Sequence, residues 1–229
     1  MKSIFKPILL LFVSVFALAG CSEDNSPKEG TQYEIIPTPM ADMPDVVEIF
    51  SLACGNCRNM ESMIPAIEDM TKIHMTKTHV TFNESAQRAA YIYYAAENQS
   101  NGNPSPEMMA ELFAYTQDGG DEHDHGHGKG DGEGKETEEP AEVMTPEQKK
   151  AQMIAIFAKY NMKSPIDFSE AEHEAVYQKM LSAQEIVANA NISSVPAFLV
   201  KGKYLVNSSA HKTLEEMAAT ISYLNSLAE

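Results

Sequence analysis

The chain has 229 residues, 43% of them hydrophobic and 22% charged, which is enough apolar material for a full core and excludes a chain disordered throughout or a polytopic membrane protein. Seventeen Lys and Arg stand against 33 Asp and Glu, for a formal net charge of −16; a chain this acidic repels phosphate backbones, so nucleic acid is not among its expected partners. Three cysteines cannot build a disulfide scaffold, so each must be explained by its position.

The N-terminus has the pattern of an export signal. Lys2 and Lys6 are followed by an uncharged, mostly apolar run from Ile8 to Ala19, too short to span a bilayer but right for a signal-peptide core. The run ends in Leu18-Ala19-Gly20-Cys21, which resembles the lipobox of bacterial lipoproteins. That resemblance implies cleavage after residue 20, acylation of Cys21, and attachment to a membrane only through a lipid anchor. Ser22 follows the cysteine, where an aspartate would imply inner-membrane retention; the outer membrane is therefore the expected site. Loss of residues 1–20 removes two lysines and brings the charge to −18.

Residues 21–31 are polar and read as a tether. Tyr33–Ile36 is a short strand candidate, and Val46-Val47-Glu48-Ile49-Phe50 is the nearly continuous apolar run expected of a buried central strand. A helix is expected after Cys54-Gly55-Asn56-Cys57, with Met60, Ile64, Ile67 and Met70 on one stripe and a kink at Pro65. Thr78–Phe82 is the next strand expected. From Asn83 to about Ala190 the pattern is helical: Ala86, Ala89, Ala90 and Tyr93 share a face, Ser105-Pro106 opens one helix, and capping boxes start others at Thr145 and Ser169. The helix after Ser169 carries an apolar seam of Val176, Met180, Ala183, Val187 and Ala190. Ala197–Val200 and Tyr204–Val206 read as strands joined through Lys201-Gly202-Lys203, and Thr213 with Glu216 boxes a last helix.

Short strands that resume after some hundred helical residues point to an α/β unit with a helical domain inserted in it. The expected division is 32–83 with 191–229 for the α/β unit and 84–190 for the insertion. Within the insertion, residues 118–142 hold seven of the twelve glycines, ten acids and two lysines, with His123, His125 and His127 among them. Such a segment has too little apolar surface to offset its ordering entropy and reads as a disordered, solvated acidic loop. Its histidines are also candidate ligands for copper or zinc.

Cys54 and Cys57 are two residues apart at an expected helix start. There the first sulfur faces unpaired backbone N–H groups and the positive end of the helix, which favour thiolate over thiol. Thiolate is both nucleophile and leaving group in disulfide exchange. A CxxC alone also suits half a zinc site or a structural disulfide, but no other cysteine remains to complete a zinc site, and His74, His79, His173 and His211 show no ligand spacing with one another. The methionines around this helix, Met60, Met63, Met70 and Met75, fit core filling better than an adaptable binding surface.

Val46–Ser51 followed by Cys54-Gly55-Asn56-Cys57 resembles the active-site strand and helix of DsbA-type thiol oxidoreductases. Ser194-Val195-Pro196-Ala197-Phe198-Leu199-Val200-Lys201-Gly202-Lys203-Tyr204 resembles that family's cis-proline loop and following hairpin. The resemblance covers residues 32–229 apart from the acidic loop, and it implies a thioredoxin-like fold with an inserted helical domain. It also implies roles: Cys54 the exposed nucleophile, Cys57 the buried resolving thiol, Val195-Pro196 a cis peptide beside the sulfurs, and Glu48 a buried acid beneath Cys57. No cofactor is implied beyond the redox-active cysteine pair. Well-known members carry Pro-His between the cysteines; the Gly55-Asn56 dipeptide here lacks the histidine's positive charge and predicts a less stabilised thiolate.

The expected function is a periplasmic, lipid-anchored thiol:disulfide oxidoreductase acting on protein thiols and recycled by a membrane redox partner. Oxidation of folding clients is the leading direction. A reductase or isomerase using the same site, and a copper- or zinc-binding lipoprotein using the histidine loop, are the alternatives.

Overall fold

A computed structural model describes residues 26–118 and 144–227. Cys21 and its signal, and the loop histidines His123, His125 and His127, lie outside the described residues.

Five strands form one sheet: β1 (Tyr33–Ile35), β2 (Val46–Phe50), β3 (Thr76–His79), β4 (Ala197–Val200) and β5 (Tyr204–Val206). Their order across the sheet is β1-β5-β4-β2-β3, with β2 and β3 parallel and every other pair antiparallel. All five residues of β2 are buried, as a strand covered on both faces must be. Two helices, α1 (Gly55–Glu61) and α2 (Ile64–Thr71), connect β2 to β3. Four more intervene before the chain returns to the sheet: α3 (Glu84–Gln99), α4 (Pro106–Asp118), α5 (Pro146–Lys159) and α6 (Glu170–Asn189). The last helix is α7 (Leu214–Ser226).

Alternation along β2 sorts the core. Val46 packs with Ile64 and Ile67 of α2 and with Met217, Ile221 and Leu224 of α7. Phe50 instead joins Tyr93, Met108, Leu112, Phe113 and Phe157 in the core of the inserted helices, together with Cys57. Val47 and Ile49 face the other way, against Val80, Ala190, Ile192 and Leu199. The corner that follows Phe50 therefore lies where sheet and helical insertion meet.

Several elements differ in detail from expectation. β3 runs over 76–79 rather than 78–82, because Thr76 and Lys77 already pair with Val47 and Glu48; Val80 adds one bond to the Phe50 carbonyl, and Phe82 is exposed. The expected kinked helix is two helices, broken at Ser62-Met63, and Pro65 sits in the first turn of α2, where its missing N–H has no partner to lose. Met70 is exposed, as is Met63, whereas Met75 is buried. The boxes at Thr145 and Ser169 are reciprocal. At Thr213 only half the box forms: its hydroxyl accepts from the Glu216 N–H, but the Glu216 carboxylate turns to the Lys212 N–H. The end of the polar tether is ordered, as a turn over Lys28–Thr31 tied to β5 by Asn207.

Candidate active site

Cys54 is the N-cap residue of α1, in extended backbone conformation (φ −104°, ψ 115°). This turns its side chain back over the helix start, where Sγ accepts a hydrogen bond from the Cys57 N–H at 3.2 Å. On its other side Sγ lies 3.6 Å from the Val195 carbonyl. The Val195-Pro196 peptide is cis, and this bend brings the loop before β4 alongside the sulfur. The two motifs, some 140 residues apart in sequence, thus meet at one atom.

The cysteines differ sharply in environment. Cys54 is half-buried and Cys57 fully buried; both are free thiols. The hydrogen bond from the Cys57 thiol is the largest influence on Cys54; with help from the Cys57 and Asn56 N–H groups it outweighs burial and pushes Cys54 down to about 6. The same interaction, reinforced by burial and by the nearby charge of Glu48, pushes Cys57 up. One sulfur is held as thiolate and the other as thiol. Backbone N–H groups and the positive helix end were the expected source of this poise; in the structure the partner thiol leads. Gly55 and Asn56 are exposed, and a side chain on Gly55 would meet open space.

Glu48 is fully buried, not at a sheet edge facing water. One carboxylate oxygen pairs with the Lys77 ammonium, and the other, Oε1, has no hydrogen-bond partner among the described residues. Burial raises the Glu48 pKa, and Lys77 offsets this only in part. Lys77 in turn lies 2.8 Å from Glu61. Burial works against its charge, yet the two carboxylates more than compensate, so its pKa is raised. Lys77 and Glu61 were not legible as site residues. The signal that exists is pairwise: Lys77 is the parallel-register partner of Glu48 across β2 and β3.

Two further side chains hold the corner before Cys54. Buried His79 accepts the Leu52 N–H at Nε2 (2.8 Å) and donates from Nδ1 to the Val80 carbonyl (2.7 Å). Its burial pushes it down to about 3, so the ring is neutral. Gln117, on the last turn of α4, reaches the carbonyls of Leu52 and Cys54. Nothing in the sequence marked Gln117. Among the described residues no group of three or more His, Cys, Asp or Glu side chains is placed to hold a metal ion, and no helix is long and apolar enough to cross a membrane.

No protein-family model matches the chain. Among curated proteins it is 24% identical over 208 residues to the thiol:disulfide interchange protein DsbA of Salmonella typhimurium, covering 86% of this chain and 87% of the relative. Among solved structures, a Pseudomonas aeruginosa DsbA superposes with a TM-score of 0.61 at 16% identity, covering 87% of this chain and 97% of the other. Proteus mirabilis DsbA with a non-covalently bound peptide superposes with a TM-score of 0.57 at 18% identity over the same shares. The chain is thus similar to DsbA thiol:disulfide interchange proteins along most of both sequences, shares their fold, and sets a paired-cysteine helix start against a cis-proline loop.

Proposed function

We propose that this chain exchanges disulfides with protein thiols through Cys54 and Cys57, and that it chiefly oxidises folding clients in the periplasm, held to the outer membrane by acylated Cys21. The observation that carries the reading is the opposite poise of the two sulfurs: Cys54 down to about 6, Cys57 raised.

The steps follow from that poise. In the oxidised protein a client thiolate attacks Cys54 Sγ, which is half-exposed while Cys57 is buried. The Cys54–Cys57 bond breaks, Cys57 leaves with the electron pair, and its raised pKa makes it take up a proton. Glu48, beneath it and itself raised, is the nearby acid suited to supply one. The client's second thiolate then attacks the client sulfur of the mixed disulfide, and Cys54 departs as a stable thiolate. The client gains a disulfide, and two electrons remain on the cysteine pair, to be removed by a membrane redox partner. The backbone of partly buried Val195, beside the sulfur, offers an edge along which an extended client segment can pair.

Direction follows from energy. Stabilising the Cys54 thiolate stabilises the reduced protein and makes the disulfide the stronger oxidant, by about 30 mV for each 1.4 kcal/mol. Asn56 offers no positive charge, so the couple should be less oxidising than with a histidine there. Equilibration of the soluble 22–229 form with glutathione should place it between thioredoxin, at about −270 mV, and DsbA, at about −120 mV. Acid trapping of thiols in whole cells should find the pair oxidised. A potential at or below that of thioredoxin, with the pair resting reduced, would instead identify a reductase.

A further inference from the structure

The backbone of Leu52-Ala53-Cys54 has its own anchoring, separate from the cysteines and the cis-proline loop. The Leu52 N–H goes to His79, the Ala53 N–H to the Ser51 hydroxyl at 3.2 Å, and the Cys54 N–H to the Ser51 carbonyl at 3.0 Å. The Cys54 carbonyl accepts the Arg58 N–H of α1 at 3.1 Å, and the Leu52 carbonyl needs a donor from elsewhere. One atom reaches both: Gln117 Nε2 lies 2.7 Å from the Leu52 oxygen and 3.2 Å from the Cys54 oxygen. Two carbonyls converging on one terminal atom can be met only by the NH2 end of the amide, each by one hydrogen, which fixes how the side chain is turned. Gln117 belongs to α4, inside the helical insertion, and the corner it holds belongs to the sheet. Its neighbour Asp118 grips Arg58 of α1 with two bonds, at 2.7 and 3.0 Å.

We propose that Gln117 is a positioning residue for disulfide exchange: its amide fixes the Leu52–Cys54 backbone so that the Cys54 sulfur stays seated between the Cys57 N–H and the Val195 carbonyl. The inference rests on the oxidoreductase reading above and adds to it that the inserted helices set the reactivity of the nucleophile. The sulfur's seat is a matter of backbone angle. Cys54 caps α1 only while its peptide stays extended, and the 3.2 Å bond from the Cys57 N–H lengthens as soon as that peptide rotates. With the amide gone, the Leu52 carbonyl loses its donor and the Cys54 carbonyl keeps only the Arg58 N–H of α1, so the corner is free to turn toward solvent to satisfy the Leu52 oxygen.

Two substitutions test this in the reduced, full-length soluble chain. Gln117→Leu keeps bulk and removes the donors; Gln117→Glu keeps shape and puts a second acceptor against two carbonyls. Thermal unfolding and circular dichroism confirm the fold of each, and Gln117→Glu carries the comparison if the leucine variant does not fold. The readout is the titration of the Cys54 thiolate, followed by its absorbance and by the pH profile of alkylation. We expect the midpoint to rise by about half a unit to one unit in both variants, cutting the alkylation rate at pH 6 by about two- to five-fold. Titration and alkylation curves that superpose on the parent's would overturn the role of Gln117. Failure of the underlying reading looks different: the unsubstituted protein itself would show a Cys54 no more reactive than a cysteine in a free peptide.

Discussion

At Glu48 one side chain carries a cost to the fold. The residue is fully buried, its Oε1 has no partner among the described residues, and burial raises its pKa. A carboxyl with a raised folded-state pKa favours the protonated protein. Its penalty is absent below the unfolded value near 4.5 and grows as pH climbs through the folded one. Glu48→Gln imitates the protonated acid and leaves Lys77 with Glu61 as its partner. The variant should therefore unfold at higher urea concentration than the parent at pH 7, by on the order of 1–2 kcal/mol, with the gain gone at pH 4. It should also form mixed disulfides more slowly, having no proton to give Cys57. A variant less stable than the parent at neutral pH would show that the Lys77 pair, and not the buried charge, dominates here.

Among the elements, the β4–β5 hairpin shows what a sequence conveys and what it withholds. Lys201-Gly202 between two β-branched and aromatic runs announced a tight turn, and the turn forms with positive φ at both central residues, 50° and 59°, as the right-handed twist of the strands requires. What the turn touches was not visible. A Cβ on Gly202 would stand 2.3 Å from the Met40 carbonyl oxygen and 2.7 Å from the Met43 side chain, because the segment between β1 and β2 folds across the hairpin and bonds to it (Met40 N–H to the Gly202 carbonyl, 2.9 Å). Gly202→Ala should thus cost about 2 kcal/mol or more in urea unfolding, strain and clash together; a loss under about 1 kcal/mol would mean the 40–43 segment yields easily. The same division holds elsewhere. Caps at Thr145 and Ser169 and the buried run of β2 were legible because they depend on neighbours in sequence. The start of β3 at polar Thr76-Lys77, the Glu48–Lys77 pair, and the grip of Gln117 on Leu52 and Cys54 were not, because each arises from residues brought together only by packing.

For the molecule as a whole, the two redox states should differ in stability, and pH should control the difference. Closing Cys54–Cys57 spans so short a loop that it takes little entropy from the unfolded chain, so the disulfide stabilises the fold weakly. Reduction, by contrast, creates a thiolate that only the folded protein holds, in the seat formed by the Cys57 thiol and N–H and bordered by the Val195 carbonyl. The sign follows from linkage: a folded-state pKa depressed from the ordinary thiol range to about 6 adds stability that is complete above the unfolded value, near 8.5, and lost as pH falls through 6. Half-exposure of Cys54 screens part of this gain. The reduced protein should therefore resist guanidinium better than the oxidised protein at pH 8, and the two midpoints should converge by pH 5. That convergence is a property of the fold, and it ties redox chemistry to a bench measurement: the stability gap at each pH is the free energy by which the folded chain, relative to the unfolded one, prefers to hold electrons. Midpoints that coincide at pH 8 would mean the thiolate gains nothing from folding, and the proposed oxidising direction would lose its physical basis.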